Sequence, residues 1–200
     1  MRFRMPTPLC LYAAVTLATV AFAGATPAAP VTYQIDPTHT YPSFEADHLG
    51  ISLWRGKLNK SSGSVTLDKT DGTGSVDIAI DLASVDFGLD QLNAWARGTE
   101  FFDVAKYPSA TYKGRFAGAT AGGLPTQVRG ELTLRGVTKP VVLELKLLKC
   151  IAHPIFKREL CGADAVARFN RDEFGLYMGK AYGFKMDVAL RIQVEALAAP

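Results

Sequence analysis

Histidines are the first candidates for chemistry in this 200-residue chain, and the three present are His39, His48 and His153. They are dispersed, and no HxxH or HExxH spacing brings two imidazoles onto one face of a helix. A tetrahedral metal site needs three or four ligands, so the sequence predicts no metal site. His48 alternates with Phe44 and Ala46, which favours a histidine in a core or pocket over a metal ligand or a general base.

Other catalytic groups are equally weakly indicated. The chain has no GxSxG nucleophile elbow and no glycine-rich loop that follows a strand and opens a helix. Its carboxylates at Asp77, Asp81, Glu144 and Asp187 alternate with apolar residues, on faces that we expect to be solvated. We therefore predict no catalytic residue, no cofactor and no enzyme, although an acid and a base brought together from distant strands stay open.

The N-terminus has the pattern of an export signal. Arg2 and Arg4 precede an apolar run over residues 9–22, which small residues follow. We predict a secretory signal peptide over residues 1–25, a disordered leader over residues 26–30 and a periplasmic mature protein. The apolar run is shorter than the roughly 20 residues of a membrane-spanning helix, which disfavours the alternative of an uncleaved anchor. We therefore do not expect an integral membrane protein.

The charge of the mature chain gives little information about partners. The whole chain has 22 basic and 19 acidic residues. Loss of Arg2 and Arg4 with the signal peptide would bring the two counts almost into balance. The lysines and arginines are spread along the sequence and form no basic stripe that would neutralise phosphates. Nucleic acid is therefore not a predicted partner.

Export would leave Cys150 and Cys161 in a compartment that permits disulfides. Ten residues separate them, IAHPIFKREL, with the turn signal His153-Pro154 near the centre. A hairpin closed by a disulfide fits this spacing, and the ring would contribute about 2 to 3 kcal/mol of stability. A redox-active or metal-binding pair is the alternative, which the lack of a CxxC spacing disfavours.

Apolar residues recur with a period of two along most of the mature sequence. The pattern is clearest over residues 76–82, 131–135, 141–147 and 186–195. In the third of these segments, it places Val141, Leu143, Leu145 and Leu147 on one face. Weaker strand patterns cover residues 32–36, 43–49, 63–68, 110–117 and 163–170. About eight or nine strands without crossover helices predict an all-β fold, either an up-and-down antiparallel barrel or a sandwich.

One segment departs from the strand period. Residues 88–100, GLDQLNAWARGTE, place Leu89, Leu92 and Trp95 at a spacing of three. This spacing predicts a short helix between two strands, and Gly98 would end it.

Several segments together resemble one known family. Two aromatics lead into a Lys-Tyr-Pro corner in residues 101–112, FFDVAKYPSATY. Residues 130–142, GELTLRGVTKPVV, form two apolar-alternating arms around a short loop that contains Gly136 and ends at Pro140. With AVARFNRDEFGL at residues 165–176 and the opening YQIDPTHTYPSFEADHLGIS, these segments have the order and spacing of the YceI-like family, known as polyisoprenoid-binding proteins of lipocalin-like fold.

The resemblance implies an antiparallel lipocalin-like barrel of about eight strands over residues 31–198, with one short helix. It also implies a long cavity for an extended isoprenoid-type lipid, in which each buried methylene is worth about 0.8 kcal/mol. The ligand-binding residues that we expect are Phe44, His48, Trp54, Phe87, Leu92, Trp95, Arg97, Phe101, Phe102, Tyr112, Phe116 and Phe174. A head group would lie near Trp95, Arg97 or His48.

The chain departs from the family pattern just before the paired phenylalanines. Many members carry a charged residue and a His-Leu pair there, whereas residues 93–97 of this chain read NAWAR. If these positions line the cavity mouth, the preferred head group differs, so no specific ligand is carried over.

Three hypotheses follow for function. The first is an exported, non-enzymatic carrier or store for a long-chain amphiphile, a polyisoprenoid or a quinone-like lipid. The second is an enzyme that acts on a hydrophobic substrate in the same cavity, and the third is an envelope stress protein with a filled core. The sequence leaves both a monomer and a homodimer open.

Overall fold

The computed structural model describes Met1 and residues 29–200. The predicted signal peptide therefore lies outside the described residues apart from Met1, as does the predicted leader apart from Ala29 and Pro30. Those two residues are exposed and have no regular structure, and the first strand begins directly after them.

Strands dominate the described residues, which contain eleven β-strands, one α-helix and three short 3₁₀ turns. In chain order the strands are β1 (Val31–Ile35), β2 (Tyr41–His48), β3 (Ser52–Leu58), β4 (Ser61–Leu67), β5 (Gly74–Asp81), β6 (Val85–Asp86), β7 (Ser109–Ala117), β8 (Gln127–Leu134), β9 (Val137–Ala152), β10 (Glu159–Asn170) and β11 (Asp187–Ala198). The helix, α1, spans Asp90–Arg97 and has Gly98 as its C-terminal cap, so both the predicted helix and its end are confirmed.

The strands close into one antiparallel barrel with eight strand positions. Their hydrogen-bonded order is β1-β4-β5-β7-β8-β9-β10-β11, and β1 also pairs with β11 to close the sheet. Three of the eight positions are each formed by two consecutive strands: β1 with β2, β3 with β4, and β5 with β6. The additional strands β2, β3 and β6 extend the sheet, because β2 pairs with β11, β3 pairs with β2, and β6 pairs with β3. The predicted all-β, up-and-down barrel with one short helix is confirmed.

The alternation of apolar residues sets the inner face of each strand. Val76, Ile78 and Ile80 of β5 face the barrel interior, whereas Asp77 between them is exposed. A strand with one apolar face must turn that face toward the other strands to remove it from water. The same alternation holds along β11, so the period of two predicted which residues face the interior.

A bulge breaks the period in β9. Leu145 faces the interior as predicted, but Leu147 is 52% exposed and Leu148 takes the inward position. The cause is a bulge, because Ala165 of β10 pairs with Leu145 while the residue before Ala165 pairs with Leu147. Lys146 is the extra residue, and every residue after it changes face. The prediction that Leu147 lies on the inner face is therefore wrong.

The connection between β8 and β9 is tighter than predicted. It consists of Arg135 and Gly136, whose φ angles are 50° and 75°. A two-residue turn with positive φ at both positions matches the twist of a hairpin, and glycine adopts this conformation without strain. Strand β9 already begins at Val137, and Pro140 lies inside it opposite Glu131. The predicted loop ending at Pro140 is therefore wrong.

Strand β3 was not predicted from the sequence. Its residues SLWRGKL mix charged side chains with glycine, so the apolar period is weak. Gly56 is required by packing, because a Cβ atom there would lie 2.5 Å from Cζ of Phe44 on the neighbouring strand β2. Gly56 thus leaves space for the ring of Phe44, but a glycine at this position also weakens the apolar alternation by which a strand is recognised in the sequence.

The two ends of the barrel differ in their connections. The α1 end, as we call it, carries α1, the β2–β3 turn at residues 49–51 and the β10–β11 connection at residues 171–186. The disulfide end carries the turns at residues 68–73, 118–126 and 153–158. Each end has its own hydrophobic cluster, and the larger of the two contains Leu82, Phe102 and Phe174.

A disulfide links the last two strands before β11. Cys150 of β9 and Cys161 of β10 are directly opposite in the strand register, and their sulfur atoms are bonded. The predicted bridge is present, and it closes the β9–β10 hairpin at the disulfide end.

Candidate ligand-binding cavity

A cavity of about 400 Å³ runs along the axis of the barrel. Inner-face side chains from all eight strand positions line it, from Tyr33 near the disulfide end to Trp95 on α1. Nearly all of these side chains are aliphatic or aromatic. The volume lies in the range typical of small-molecule sites, and walls of this composition fit a hydrocarbon chain.

The inner wall shows that the barrel is hollow. Val76, Ile78 and Ile80 of β5 and Ile192 of β11 point to the interior, yet each remains only half-buried. In a close-packed core, neighbouring side chains would cover such residues almost completely. Their remaining surface faces the cavity. The hypothesis of a barrel with a filled core is therefore wrong.

Tyr112 illustrates how the wall stays apolar. Its hydroxyl lies 3.1 and 2.9 Å from the backbone carbonyl oxygens of Val128 and Val141, which share its single proton as acceptors. The side chain is buried, and burial raises the pKa of Tyr112 to about 12. Because the phenol remains protonated and its polar atom is satisfied within the wall, Tyr112 presents only its ring to the cavity.

The cavity is shut at the disulfide end. Tyr33 is 1% exposed, and its hydroxyl donates a 2.5 Å hydrogen bond to Oε2 of Glu159. The ammonium group of Lys69 donates to the other carboxylate oxygen. Burial, and then Glu159, raise the pKa of Tyr33. Burial also raises the pKa of Glu159, but the hydrogen bonds from Lys69 and Tyr33 outweigh it and the net shift is downward.

The cavity opens at the α1 end. Among the described residues that line it, the exposed ones are Trp54 and Trp95, both 37% exposed, and Tyr182, 78% exposed. All three belong to this end of the barrel. The ring of Phe101 lies 5.1 Å from that of Trp95 and 4.7 Å from that of Phe102, which is buried. These aromatic side chains form the rim of the opening, which we call the mouth.

Eight of the twelve predicted ligand-binding residues line the cavity. They are Phe44, Trp54, Phe87, Trp95, Phe101, Phe102, Tyr112 and Phe116. The structure thus brings together side chains that are up to 72 positions apart in the sequence, from Phe44 to Phe116. Their contact with a ligand stays a prediction.

His48 lies behind the mouth instead of in the cavity wall. Its imidazole stacks on Trp54, with ring centroids 4.3 Å apart and planes 11° apart. The edge of a second ring, that of Phe184, lies 4.9 Å away. Trp54 and Phe184 line the cavity, so His48 packs behind them and supports the mouth without lining the cavity itself.

The other three predicted residues also lie outside the lining. Phe174 is 1% exposed and packs edge-on against Phe169 in the core. Arg97 directs a guanidinium nitrogen to the carbonyl of Ala83, at 3.5 Å. Leu92 is half-buried on α1. The packing of these side chains supports the elements that surround the mouth.

Phe174 is the one predicted ligand-binding residue in the β10–β11 connection, and the residues of this connection that line the cavity were not predicted. Four of its side chains, those of Arg171, Leu176, Met178 and Phe184, line the cavity together with Tyr182. The connection contains two 3₁₀ turns and no regular strand or helix, so its apolar residues follow neither period. The FNRDEFGL motif marked the segment but did not indicate which of its side chains face the cavity.

Arg171 is the most unusual of these residues, because it is charged and only 5% exposed. Its two terminal nitrogens donate hydrogen bonds of 2.7 Å to the backbone carbonyls of Leu176 and Met178. Burial lowers the pKa of the Arg171 guanidinium, and the neighbouring carboxylate of Asp172 acts in the opposite direction. An arginine retains its proton in either case, so a positive charge lies at the edge of an apolar cavity.

Two further results concern the residues that the structure describes. No three of their His, Cys, Asp and Glu side chains lie close enough together to hold a metal ion. None of their helices is long and apolar enough to cross a membrane.

Comparison with known proteins was consistent with this fold. A family model described as a YceI-like domain matches residues 33–196. A UPF0312 protein of Yersinia pestis (strain Pestoides F) is 39% identical over 118 residues, which cover 58% of this chain and 60% of the relative. Protein YceI of Escherichia coli O6:H1 is 35% identical over 119 residues, covering 58% and 61%. The matched region thus spans about 60% of the length of these curated relatives.

Solved structures show the same barrel. BcnA of Burkholderia cenocepacia superposes with a TM-score of 0.64 at 25% identity, covering 81% of this chain and 99% of BcnA. A polyisoprenoid binding domain from Saccharophagus degradans gives a TM-score of 0.60 at 20% identity, covering 84% and 99%. A YCEI protein of Campylobacter jejuni gives 0.63 at 22% identity, covering 76% and 90%. At these identities the likeness concerns the fold.

Proposed function

This chain belongs to the YceI-like family, and we propose that it is an exported carrier or storage protein for one long-chain amphiphile, a polyisoprenoid or a quinone-like lipid. The observation that carries the proposal is the apolar cavity of about 400 Å³, shut at the disulfide end and open at the α1 end. We further propose the periplasm as its location, because residues 1–25 have the pattern of a secretory signal.

The shape of the cavity supports a long tail as its guest. An apolar cavity that extends along the barrel and opens at the α1 end admits a chain end first, and each methylene that leaves water contributes about 0.8 kcal/mol. A tail can therefore bind tightly without polar anchors along the tube. The head group would remain at the mouth, where Trp54, Trp95 and Tyr182 are exposed and water can reach it.

The structural neighbour from Saccharophagus degradans supports the choice of a polyisoprenoid, because it is described as a polyisoprenoid binding domain. At 20% identity this likeness carries the fold and not the ligand. The ligand class of this chain is thus proposed mainly from the chemistry of its own cavity.

A non-enzymatic role fits the site better than catalysis. The cavity wall carries one carboxylate, that of Asp47, and no histidine or cysteine thiol among the described lining residues. An enzyme that uses acid and base chemistry would need two such groups within hydrogen-bond reach of one bound atom. We therefore propose binding without turnover.

The direct test is to identify what the purified protein carries. We would purify the mature chain from its native host, extract it with organic solvent and identify the released lipid by mass spectrometry. The expected result is about one long-chain lipid per protein chain. A protein that releases no lipid, and that also takes up no polyisoprenoid alcohol when one is supplied, would refute the proposal.

A variant that fills the cavity sharpens this test. Ala165 is 4% exposed, lines the cavity and lies between Leu145 and Ile192, so Ala165→Trp would place an indole across the tube. We expect this variant to fold and to lose the lipid. Ala189→Trp is the matched control, because Ala189 is on the outer face of the adjacent strand β11. Equal lipid content in both variants would contradict the cavity as the binding site.

A further inference from the structure

Three exposed aliphatic side chains at the α1 end are not explained by the cavity. Leu49 and Ile51 of the β2–β3 turn are 48% and 80% exposed, and Leu89, directly before α1, is 58% exposed. None of the three lines the cavity. A single exposed aliphatic residue is ordinary on a protein surface. These three, which we call the outer rim, are unusual in their position and in the local structure that carries them.

The outer rim borders the mouth. His48, the last residue of β2, stacks on Trp54 of the mouth, and the ring centroid of Trp54 lies 6.5 Å from that of Phe87. Phe87 is two residues before Leu89. These ring contacts bring the β2–β3 turn and the start of α1 to the same side of the opening.

Leu49 occupies a turn position that favours a different residue type. Its φ angle is 57°, that of Gly50 is 71°, and the N–H of Ile51 donates a 3.1 Å hydrogen bond to the carbonyl of His48. Asn, Asp or Gly is preferred in such a turn, because the Cβ atom and bulk of a leucine are unfavourable at positive φ. An exposed leucine here serves neither the turn nor the core.

Leu89 shows the same conflict at the start of α1. It is the N-terminal cap of the helix, and its side chain makes no capping hydrogen bond. Ser, Thr, Asp and Asn are strongly preferred at this position, because their side-chain oxygens accept a hydrogen bond from a free N–H group of the first turn. Two leucines thus lie beside the mouth at positions where the fold alone favours polar residues, which indicates an interaction outside the chain.

The side chains at this end suit the surface of a lipid bilayer. Residues 49–51 read LGI and residues 87–89 read FGL, so neither segment carries a charge. Aliphatic side chains gain free energy when they leave water for the acyl layer, and tryptophan and tyrosine favour the interface between that layer and water. Trp54, Trp95 and Tyr182 are exposed at the mouth beside the outer rim.

We propose that the outer rim inserts into the surface of a phospholipid bilayer and holds the mouth against it, so that a lipid passes between bilayer and cavity without crossing water. The inference rests on the proposed lipid-binding function and names the partner of that site. A tail that crosses water exposes every methylene, and the unfavourable free energy grows with its length. Because the inserted side chains are uncharged, docking does not require anionic lipids.

The disulfide end provides the comparison. Ile155 and Phe156 are 75% and 58% exposed, but they lie on one hairpin turn at the shut end of the cavity. The ring of Phe156 stacks on His153, with centroids 4.6 Å apart. Apolar exposure alone would predict docking of either end, whereas the position of the opening predicts docking of the α1 end.

Flotation with phosphatidylcholine vesicles tests the docking of the wild-type mature protein. We expect the protein to float with these neutral vesicles, with an affinity that does not fall between about 0.1 and 1 M salt. Its uptake of radiolabelled geranylgeraniol from the vesicles should be faster than the spontaneous release of this alcohol into water. No flotation, flotation that requires anionic lipid, or uptake no faster than spontaneous release would each overturn the inference.

Variants then locate the docking surface. Leu49→Asn/Leu89→Ser replaces both leucines by residues that the turn and the helix cap favour. We expect its vesicle affinity to fall about tenfold or more. Its melting temperature should be equal to or above that of the wild-type protein, and its affinity for geranylgeraniol in vesicle-free solution should be unchanged. Ile155→Asn/Phe156→Ser is the matched control, because it removes two exposed apolar side chains from the opposite end.

The outcomes are separable. Unchanged vesicle affinity of Leu49→Asn/Leu89→Ser, or an equal loss in the control, would refute the outer rim as the docking surface, as would a melting temperature below that of the wild-type protein. A dimer that dissociates in this variant, without flotation of the wild-type protein, would assign the outer rim to a second copy instead. A protein that binds geranylgeraniol in solution but no vesicles would overturn the inference and leave the proposed function intact, whereas one that binds neither would overturn both.

Discussion

The two ends of the barrel are held together by different interactions. At the disulfide end, a covalent bond joins Cys150 to Cys161, and two groups hydrogen-bond the carboxylate of Glu159 above the buried ring of Tyr33. At the α1 end, the lining residues Trp54 and Trp95 remain partly exposed and contact other aromatic rings. One end is therefore fixed, while the other leaves apolar surface in contact with water.

A hollow barrel can be both stable and open when its two ends differ in this way. An interior without a solid core loses part of the packing that normally stabilises a domain. The disulfide and the closed cluster around Tyr33 offset that loss at one end. Trp54 and Trp95 at the mouth can then serve binding, because each is 37% exposed and contributes less buried surface to the fold. Substitution of an exposed mouth residue should therefore change ligand affinity more than stability, and substitution at the disulfide end should do the reverse.

The largest effect on stability is expected from truncating an aromatic at the disulfide end. Tyr33→Ala should lower the free energy of unfolding by about 3 to 5 kcal/mol, because the side chain is fully buried. Trp95→Ala removes a larger side chain at the mouth but should cost only about 1 kcal/mol, since Trp95 is 37% exposed. Urea unfolding of both variants measures the contrast. Equal losses would remove the distinction between the ends.

Removal of the disulfide should have the second largest effect on stability. Replacing Cys150 and Cys161 together by Ser should lower the free energy of unfolding by about 2 to 3 kcal/mol, because the unfolded chain gains freedom. Lipid binding should be unchanged, since the bridge lies at the end opposite the mouth. Thermal melts and binding isotherms of the double variant check both statements. Loss of binding at full stability would contradict a structural role.

A charge at the mouth should affect binding and leave the fold intact. Phe101 lines the cavity and is partly exposed, so Phe101→Asp should weaken lipid affinity about tenfold or more with a small change in melting temperature. Tyr177→Asp is the control, because Tyr177 is at the same end, 61% exposed and outside the lining. Unchanged lipid retention in a folded Phe101→Asp protein would argue against Phe101 as part of the wall.

The smallest effect concerns the pH dependence of the disulfide end. The folded protein holds the pKa of Glu159 below its ordinary value of 4.5, through Lys69 and Tyr33 against the opposing effect of burial. A lowered pKa contributes stability above pH 4.5, and this contribution is lost as the pH falls through the folded pKa. Compared with Glu159→Gln, the wild-type protein should therefore lose under about 1 kcal/mol more stability on acidification. Parallel stability profiles between neutral pH and pH 3 would contradict this.

The sequence predicted the barrel because one physical rule governs most of its strands. A strand with one face toward the interior repeats apolar residues every second position, as in β5, and this signal survives without any tertiary information. The rule fails where backbone geometry intervenes. The bulge at Lys146 moves Leu147 to the outside, and Gly56 is a glycine because the ring of Phe44 occupies its space. The bulge and the glycine each depend on how a neighbouring strand is paired, and the sequence alone does not reveal that pairing.

The site was predictable to the extent that aromatics mark it. Phe101 and Phe102 stand out in the sequence and line the cavity, together with six other predicted residues. Arg171 could not be identified in the same way, because an arginine beside two acidic residues normally indicates a solvated turn. Its burial arises from the way the β10–β11 connection folds back over the mouth, and two backbone carbonyls hold it there.

The proposed function requires a lipid that enters tail first through the α1 end, and quenching of tryptophan fluorescence measures this orientation. The chain contains two tryptophans, Trp54 and Trp95, and both lie at the mouth. A fatty acid brominated next to its head group should quench their emission strongly, whereas one brominated at its methyl end should quench weakly. Equal quenching by both probes, or stronger quenching by the methyl-end probe, would contradict a lipid held with its tail toward the disulfide end.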